Sequence, residues 1–339
     1  MKRIGNLYGK IISIENLTLA DAKARKGKGN SYGVKLHDRN REANIIALHN
    51  ALKNKTYRTS KYHTFIITDP KERIIFRLPY YPDRIVHHAV MNVMEPIWVS
   101  LFTRDTYSCI KGRGITGCYK AVKKALRDKE GTKYCLKLDI RKFYPSVDHA
   151  ILKDIIRRKI KDNDLLDLLD EIIDSAEGLP IGNYLSQYLS NLYLTYLDHY
   201  IKEVLHVKYY FRYADDMVFL AHKKEPLWAV LAVIKEYLTT RLNLELKANW
   251  QVFPVEARGL DYVGFVFRHT HIKLRKCIKT NFCKRLAKLN RKNLTAKQYI
   301  MQLAGWIGWL KQSDSRHFLT KTINAQNYES ILRCIAKPA

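Results

Sequence analysis

Residues 209–220 read YYFRYADDMVFL, a stretch in which two aromatic, β-prone arms meet at the adjacent carboxylates Asp215 and Asp216. The arms predict the two strands of a hairpin with both aspartates at its tip. Hairpin tips usually carry Asn-Gly or Asp-Gly, and this one has no glycine. Clustered carboxylates in apolar surroundings are costly unless a cation neutralises them. The stretch therefore predicts a cation site, and the alternative is a solvated turn.

A second carboxylate ends another apolar segment. Residues 133–140 are rich in Leu and Tyr and predict a buried strand, with Asp139 at its end and Phe143-Tyr144 shortly after it. If this strand lies beside the hairpin, Asp139 and Asp215 converge on one site. Carboxylate oxygens suit Mg²⁺, which completes its shell with waters and substrate phosphates. Two such ions, about 3.5–4 Å apart, can clamp the attacking and leaving oxygens of a phosphoryl transfer. Taken alone, Asp139 would more often be a strand-end or helix-capping residue.

Predicted strands and helices alternate around these motifs. The pattern indicates an α+β core with helical additions at both ends. A basic loop is predicted at 23–30, where solvated charge and phosphate contact are both open interpretations, and a turn is predicted at 69–71. Predicted helices cover 44–52, 83–99 (ending near Pro96), 149–161, 165–173, 183–204 and 228–242, and predicted strands cover 62–67, 73–78, 133–140, 208–222, 244–247 and 260–267.

The charge balance indicates a polyanionic partner. The 339 residues include 60 Lys and Arg against 32 Asp and Glu, a formal net charge of +28. A protein that folds against this self-repulsion usually binds a polyanion, and nucleic acid is favoured over an anionic membrane surface. The six cysteines are scattered without a CxxC pair, which predicts reduced thiols in a cytoplasmic protein. No apolar run is long enough to predict a signal peptide or a membrane span.

The two carboxylate motifs resemble those of reverse transcriptases. Tyr213-Ala214-Asp215-Asp216 resembles the family's Tyr-x-Asp-Asp box, and Asp139 with Tyr144 resembles its first carboxylate motif; the resemblance runs from about residue 44 to 319. It implies an α+β right-hand polymerase with fingers, a ferredoxin-like palm and a helical thumb. The expected division is 1–130 for the fingers with an N-terminal extension, 131–150 for the first part of the palm, 151–185 for a helical insertion, 186–270 for the palm with its primer grip, and 271–339 for the thumb.

The resemblance also implies roles for residues at the site. Two Mg²⁺ ions, which Mn²⁺ could replace, would be held by Asp139, Asp215, Asp216 and the backbone of Ile140. Tyr144 would be the steric gate that favours dNTPs by filling the space of a 2′-hydroxyl, and its alternative is a packed core aromatic. Lys247 would protonate the departing pyrophosphate, a form of general acid catalysis, and its alternative is a solvated lysine.

A basic strand is the candidate triphosphate site. Arg73 and Arg77 are four residues apart, which places them on the same face of a strand. Their forked guanidinium groups suit triphosphate oxygens, with Arg73 as first choice and Arg77 as second. A surface ion pair with Glu72 or Asp69 is the alternative. The nucleotide site is completed by the backbone N–H groups of Lys142 and Phe143, by Tyr144, and by Ile181 and Gly182.

Primer and template contacts are expected from the hairpin and from the basic C-terminal region. Tyr213 precedes the two aspartates, and Gly259, Tyr262 and Gly264 lie in a segment that resembles the primer grip. No acidic residue occurs between Asp261 and Asp314. One-sign charge over this length predicts a thumb that follows the RNA/cDNA duplex through salt-sensitive phosphate contacts. In this interval, the residues predicted to contact the primer or template are Lys276, Lys284 and Arg285.

One motif narrows the type of reverse transcriptase. Most members carry Gln-Gly-x-x-x-Ser-Pro where this chain has Ile181-Gly182-x-x-x-Ser186-Gln187, a variant that resembles the diversity-generating retroelements of bacteria and phages. That resemblance implies a bacterial or phage-encoded enzyme that makes cDNA with errors at template adenines, with a template RNA and a basic, oligomeric accessory protein as partners. Ile181 lacks the hydrogen-bonding groups of Gln, and the loss of one hydrogen bond is worth up to about tenfold in selectivity.

Two alternatives remain open from the sequence. The first is another bacterial reverse transcriptase, of the retron or phage-defence type. The second is a catalytically silent RNA-binding scaffold with a polymerase shape, which has no use for a buried set of metal-binding carboxylates.

Overall fold

The computed structural model describes residues 3–68, 71–292, 294–323 and Ile331. The predicted turn at Asp69-Pro70 and the cysteine at position 334 lie outside these residues. The strands are β1 (His63–Ile67), β2 (Arg73–Arg77), β3 (Tyr134–Asp139), β4 (Tyr209–Tyr213), β5 (Asp216–Ala221), β6 (Gln251–Pro254), β7 (Leu260–Tyr262), β8 (Phe265–Phe267) and β9 (Ile272–Leu274).

Helices account for most of the remaining described chain. They are α1 (Tyr8–Ile12), α2 (Ile14–Ala24), α3 (Tyr32–Asp38), α4 (Arg41–Lys53), α5 (Ile85–Val99), α6 (Gly114–Ala125), α7 (His149–Arg157), α8 (Asn163–Ile173), α9 (Tyr184–Tyr193), α10 (Thr195–His199), α11 (Glu225–Leu242), α12 (Val255–Arg258), α13 (Lys276–Asn290), α14 (Ala296–Lys311) and α15 (Arg316–Thr322). Short helical turns occupy Tyr80–Arg84, Tyr144–Ser146 and Tyr200–Val204. Among the described residues, no helix combines the length and apolar character needed to cross a membrane.

The strands form three sheets. β1 and β2 make an antiparallel hairpin in which His63 pairs with Arg77 and Ile67 with Arg73. A four-stranded sheet has the order β4-β5-β3-β6, and β7, β8 and β9 form a separate antiparallel sheet. The order confirms that the 133–140 strand lies next to the predicted hairpin. The interior residues of β5 are buried, as are most of those of β3, which explains why both read as nearly continuous apolar runs.

The chain divides into two compact units. The first comprises Met1–Gly114, Leu138–Met217 and Ala229–Trp250, and the second comprises Ile115–Lys137, Val218–Trp228 and Gln251–Ala339. The division falls within β3 and β5. The end of β3 at Asp139 and the hairpin tip at Asp215-Asp216 therefore belong to the first unit.

Helix α5 is the centre of the first unit's helical core and contacts α2 and α9. The sequence predicted a helix over 83–99 that ends near Pro96, and α5 ends at Val99, shortly after the proline. The Ser100 N–H donates to the Pro96 carbonyl, so the helical path resumes after the proline. Met94 and Trp98, on either side, are fully buried. Their burial offsets the hydrogen bond that a proline removes from a helix.

Candidate active site

The adjacent ends of β3 and the β4–β5 hairpin bring two aspartates together. Burial raises the pKa of Asp215, and the nearby carboxylate of Asp139 raises this pKa further. The positive charge of Lys247 acts in the opposite direction. Two carboxylates in this arrangement repel each other in their ionised forms, and a cation relieves the repulsion. The predicted convergence of Asp139 with Asp215 is therefore present in the structure.

Lys247 supplies a positive charge directly at this pair. Its Nζ lies 2.6 Å from Asp139 Oδ2, and both side chains are about one-third exposed. The Lys247 backbone N–H also donates to the Asp139 carbonyl at 2.8 Å, next to a bridge between Ile140 and Leu246. The backbone ladder thus fixes Lys247 beside the carboxylate. Lys247 is therefore paired with a carboxylate and not freely solvated, and its role as a proton donor stays a prediction.

Two oxygen atoms near the end of β3 are suitable ligands for a divalent cation. Asp139 Oδ1 is buried and has no hydrogen-bond partner among the described residues. The Asp139 carbonyl is taken by Lys247, and because successive carbonyls of a strand alternate sides, the Ile140 carbonyl points away from Leu246 toward the β5 side. Carboxylate and carbonyl oxygens are the ligands that Mg²⁺ prefers.

Asp216 is placed differently from the other two aspartates. It is the first residue of β5 and is half-buried. Within the described part of the chain, no three acidic, histidine or cysteine side chains are grouped closely enough to hold a metal ion as they stand. The structure therefore brings Asp139 and Asp215 together without gathering Asp216 into the same group. Neighbouring residues at the start of a strand point to different sides, which accounts for the separation.

A buried ion pair that the sequence did not predict holds the hairpin turn. Arg212 and Asp198 are both fully buried, and the guanidinium donates to Asp198 Oδ1 at 2.8 Å and to Oδ2 at 2.5 Å. Arg212 also donates to the Ala214 carbonyl at 3.0 Å, and Ala214 has a positive φ of 55°. The Tyr210 hydroxyl and the Thr106 hydroxyl donate to the same carboxylate. The network fixes the turn that presents Asp215.

The arginine itself was the only signal of this network in the sequence. An arginine inside the apolar arm YYFRY requires an acidic partner if it is buried. That partner is 14 positions earlier in the chain, on α10, and no spacing rule identifies it.

Tyr144 follows the Asp139 strand and contacts Ser190 of α9. Its hydroxyl is within 3.2 Å of Ser190 Oγ. Burial raises the pKa of Tyr144, the Ser190 hydrogen bond lowers this pKa, and smaller effects come from Asp215, which raises it, and Arg73, which lowers it. The charges of Asp215 and Arg73 therefore both act on the Tyr144 hydroxyl. The role of this ring as a steric gate stays a prediction.

The two arginines of β2 face different neighbours. Arg73 is close enough to Tyr144 to affect its ionisation, whereas Arg77 lowers the pKa of Arg84, for which burial is the larger cause. Both side chains are exposed, and neither forms an ion pair within the described residues, which include Glu72. The alternative partner Asp69 lies outside them. Arg73 is thus the better placed of the two for a triphosphate at the carboxylates.

The Ile181-Gly182 motif packs directly on β2. The Phe76 N–H donates to the Ile181 carbonyl at 2.8 Å. Gly182 has a φ of +124°, and a Cβ at this position would lie 2.5 Å from the Phe76 carbonyl. Only glycine therefore allows this approach. Ile181 is half-buried beside the strand that carries Arg73.

The turn after β3 presents free backbone donors. Lys142 has a left-handed φ of 44°, and Phe143 is buried. Within the described part of the chain, the N–H groups of these two residues donate to no other group. Their contact with phosphate oxygens stays a prediction from the resemblance.

Comparisons with known proteins identify the family of this chain. A family model described as "Reverse transcriptase (RNA-dependent DNA polymerase)" matches residues 68–267. The chain belongs to the reverse transcriptase family. It is similar to Protein YkfC of Escherichia coli K12 (31% identity over 139 residues, 37% of this chain and 36% of YkfC) and to the group II intron-encoded protein LtrA of Lactococcus lactis subsp. cremoris (24% over 176 residues, 48% and 29%).

A further relative is matched over most of its length. The Retron Ec73 reverse transcriptase of Escherichia coli is 26% identical over 274 residues, which cover 75% of this chain and 84% of the retron protein. By contrast, the chain spans only about a third of YkfC and LtrA. The apo telomerase structure from Candida tropicalis superimposes with a TM-score of 0.52 at 14% identity, over 82% of this chain and 57% of that one. This likeness confirms the predicted α+β polymerase fold.

The second unit of this reverse transcriptase contains the predicted primer-grip hairpin. Gly264 has a φ of +90°, and a Cβ there would lie 2.5 Å from the Trp309 ring, so packing within the unit requires the glycine. Gly259 has a φ of +82°. Tyr262 is fully buried, so its ring packs in the core and only its backbone is left for a primer.

The remaining predicted nucleic-acid contacts are spread over two elements. Tyr213 is half-buried at the end of β4. Lys276 and Lys284 are exposed on α13, while Arg285 is half-buried and donates to Gln302 of α14. Within the described part of the chain, Lys276 and Lys284 form no ion pair, whereas Arg285 joins α13 to α14, and contacts of all three with a primer or template stay predictions.

A cavity in the first unit is lined by basic residues of the segment 23–30 and by Arg84, His87 and His88, which the sequence did not predict as site residues. It has a volume of about 320 Å³ and is lined by Lys23, Ala24, Lys26, Lys28, Arg84, His87, His88, Gly182, Asn183, Tyr184 and Gln187. Burial lowers the pKa of both His87 and His88 to about 4, so the two rings are neutral near pH 7. The basic loop at 23–30 thus contributes to a defined cavity next to the Ile181-Gly182 motif.

Proposed function

We propose that this chain is an RNA-directed DNA polymerase that adds dNTPs to a primer 3′-hydroxyl on a template RNA. The observation that carries the proposal is the pair of Asp139 and Asp215, with a buried carboxylate oxygen that has no partner among the described residues and with Lys247 at 2.6 Å. Membership of the family supports the reaction type. The fingers, palm and thumb boundaries given above are part of this proposal.

Each residue has a role in this scheme. Asp139, Asp215 and the Ile140 carbonyl would hold Mg²⁺, and a second ion is proposed on the same carboxylates. Asp216 is proposed as the third carboxylate from the family resemblance, and it would have to move toward the other two to join them. Bound Mg²⁺ would neutralise the carboxylates and stabilise the charge that develops on the reacting phosphate.

The remaining groups position the nucleotide and move a proton. The Arg73 guanidinium and the N–H groups of Lys142 and Phe143 would hold the triphosphate. Lys247 would leave its contact with Asp139 and approach the departing pyrophosphate. It would then donate a proton from Nζ to that group. Tyr144 would occupy the space beside the sugar.

Primer extension tests the proposal. We expect the purified chain to extend a DNA primer on an RNA template when Mg²⁺ is present, and to stop when EDTA removes the metal. Restoration by excess Mg²⁺ or by Mn²⁺ is the control for irreversible damage. Extension that continues unchanged in EDTA contradicts a metal-dependent polymerase.

Sugar selection gives a second prediction. Removal of the ring in Tyr144→Ala is expected to raise rNTP incorporation relative to dNTP by about 10- to 200-fold, the range for a change of pocket size alone. The ratio of kcat/KM for the two nucleotides measures this. Tyr144→Phe is the matched control, because it keeps the ring and loses only the contact with Ser190. An unchanged ratio in Tyr144→Ala would assign the ring to packing alone.

The type of reverse transcriptase is also a proposal. The Ile181-Gly182-x-x-x-Ser186-Gln187 motif supports a diversity-generating retroelement, with mutagenic cDNA and a basic accessory protein as partner. A retron enzyme is the second candidate, because the Retron Ec73 reverse transcriptase is matched over 84% of its length. Sequencing cDNA made with and without the accessory protein separates the two. Errors concentrated at template adenines favour the first, and uniform errors favour the second.

Ile181→Gln probes the origin of such errors. Glutamine restores a hydrogen-bonding side chain next to β2, and we expect misincorporation opposite adenine to fall by up to about tenfold. Sequencing of cDNA from the variant and the wild type measures the change. Ile181→Leu is the matched control, because it keeps an apolar side chain of equal volume. Equal error frequencies at adenines in all three proteins would reject the idea.

A further inference from the structure

The second unit contains a cavity that the polymerase scheme does not use. It has a volume of about 490 Å³ and lies at the turn between β8 and β9, at the opposite end of β8 from the Val263-Gly264 turn. Its walls come from the end of α6 and the residues after it, from that turn, and from the end of α14. The residues that line it are Tyr119, Lys123, Leu126, Arg127, Lys129, Arg268, His269, Thr270, His271, Ile272, Lys311, Gln312, Ser313 and Asp314.

The charge of the lining is strongly positive. Five of its side chains are Lys or Arg, and Asp314 is its one acid. The Asp314 carboxylate already accepts the Ile272 N–H at 2.7 Å. Within the described residues, no ion pair to an acidic side chain is formed by Lys123, Arg127, Lys129 or Arg268. Uncompensated cations around a concave surface attract an anionic ligand, and phosphate is the anion that suits guanidinium groups.

Two lining side chains also have buried hydrogen-bond acceptors with no donor. The Thr270 hydroxyl donates its one proton to Glu256 Oε1 at 3.1 Å, so the 2.9 Å contact between Thr270 and His271 Nδ1 requires Nδ1 to carry the proton. His271 Nε2 is then an acceptor, and it has no partner in the described part of the chain. The Gln312 amide nitrogen reaches Thr116 and Gly308, and its Oε1 is likewise without a partner there.

These features together specify the ligand's chemistry. It brings negative charge for the cations and hydrogen-bond donors for His271 and Gln312, whose buried acceptor atoms lack a donor among the described residues, an unfavourable state that a ligand's donor would relieve. A ribonucleotide supplies both, through its phosphate and through its 2′-hydroxyl and base amino groups. The cavity volume lies within the range of about 300–1,000 Å³ typical of small-molecule sites. We propose that this cavity binds one ribonucleotide unit of an RNA strand, at a site separate from the polymerase centre.

Binding of a labelled single-stranded RNA, measured by fluorescence anisotropy over a range of NaCl concentrations, tests this inference. The inference rests on RNA being the partner in the proposed function. The assay contains no metal, primer or dNTP, so RNA binding is measured separately from polymerase activity. A chain that binds RNA through this cavity but does not extend primers would contradict the proposed function and support the inference. A DNA of the same sequence and free AMP are the comparison ligands.

The first double variant, Lys123→Gln with Arg127→Gln, removes two positive charges from the cavity. Both side chains are exposed, so folding should survive, and thermal melting checks this. We expect the slope of log K against log [NaCl] to decrease by about 0.7, because each single-strand phosphate contact contributes about 0.7 and one ribonucleotide unit brings one phosphate. The matched control removes two exposed lysines of the first unit, Lys10→Gln with Lys235→Gln, and is expected to change the slope less.

A second variant, Gln312→Met, removes the hydrogen-bonding amide of Gln312 and leaves the charge unchanged. We expect it to weaken RNA binding by about three- to tenfold, the value of one hydrogen bond, and to reduce the preference for RNA over DNA. If Gln312→Met has no effect, and the two double variants weaken binding equally, the cavity is ordinary surface charge and the inference fails. Displacement of the RNA by AMP at equal concentration would show a free-nucleotide site and overturn the assignment to an RNA strand.

Discussion

Asp215→Asn is expected to reduce primer extension by at least about 100-fold, with little change in folding, because it removes a negatively charged ligand of the proposed Mg²⁺, and that ion would stabilise the transition state. Asp215 is at the tip of the hairpin and close to Asp139, and the amide of asparagine keeps an oxygen but lacks the negative charge that holds the cation. Asp139→Asn should have an effect of the same size. Single-turnover extension at saturating dNTP measures the chemical step directly.

Asp154→Asn is the control for this substitution. Asp154 is exposed and pairs with Arg158 on α7, and the same chemical change there should leave the rate of extension within about twofold of the wild type, as expected for a surface pair. Equal rates in Asp215→Asn and the wild type would end the enzyme proposal. The remaining candidate would then be an RNA-binding scaffold.

Asp198→Asn is expected to lower the free energy of unfolding by about 3–5 kcal/mol, because it leaves a buried guanidinium without its counter-charge. Asp198 and Arg212 are both fully buried, and the pair is bidentate. Asparagine keeps the shape and one oxygen acceptor, but its NH2 group faces two hydrogen-bond donors, so the loss combines the missing charge with those broken hydrogen bonds. Urea unfolding of wild type and variant gives the difference.

The surface pair of Arg158 and Asp154 is again the comparison. It joins the same two residue types at 2.7 Å, but both side chains are more than half exposed. Asp154→Asn should cost less than about 1 kcal/mol. A loss in Asp198→Asn as small as the loss in Asp154→Asn would show that the network around the Ala214 turn does not depend on charge.

Local patterns were sufficient to predict the elements of the site. The aromatic arms on either side of Asp215 gave β4 and β5, and the apolar run before Asp139 gave β3, because a buried strand leaves a continuous apolar signature. The four-residue spacing placed Arg73 and Arg77 on one strand. Each of these inferences needs only residues that are close together in the chain.

Features that depend on distant residues could not be predicted in the same way. The contact of Gly182 with the Phe76 carbonyl joins positions more than a hundred residues apart, as does the pairing of Lys247 with Asp139. The resemblance to a family named these residues but did not give their contacts. Pro96 shows the opposite case, in which tertiary packing overrides a local helix-ending signal.

The central claim is that Asp139 and Asp215 hold a divalent cation. Mn²⁺ binding, followed by electron paramagnetic resonance on wild type, Asp139→Asn, Asp215→Asn and Asp154→Asn, tests this without reference to activity. The account predicts specific Mn²⁺ binding that is retained in Asp154→Asn and falls at least about tenfold in each site variant, as for the loss of a metal-binding group. Binding of equal affinity in all four proteins would contradict the claim.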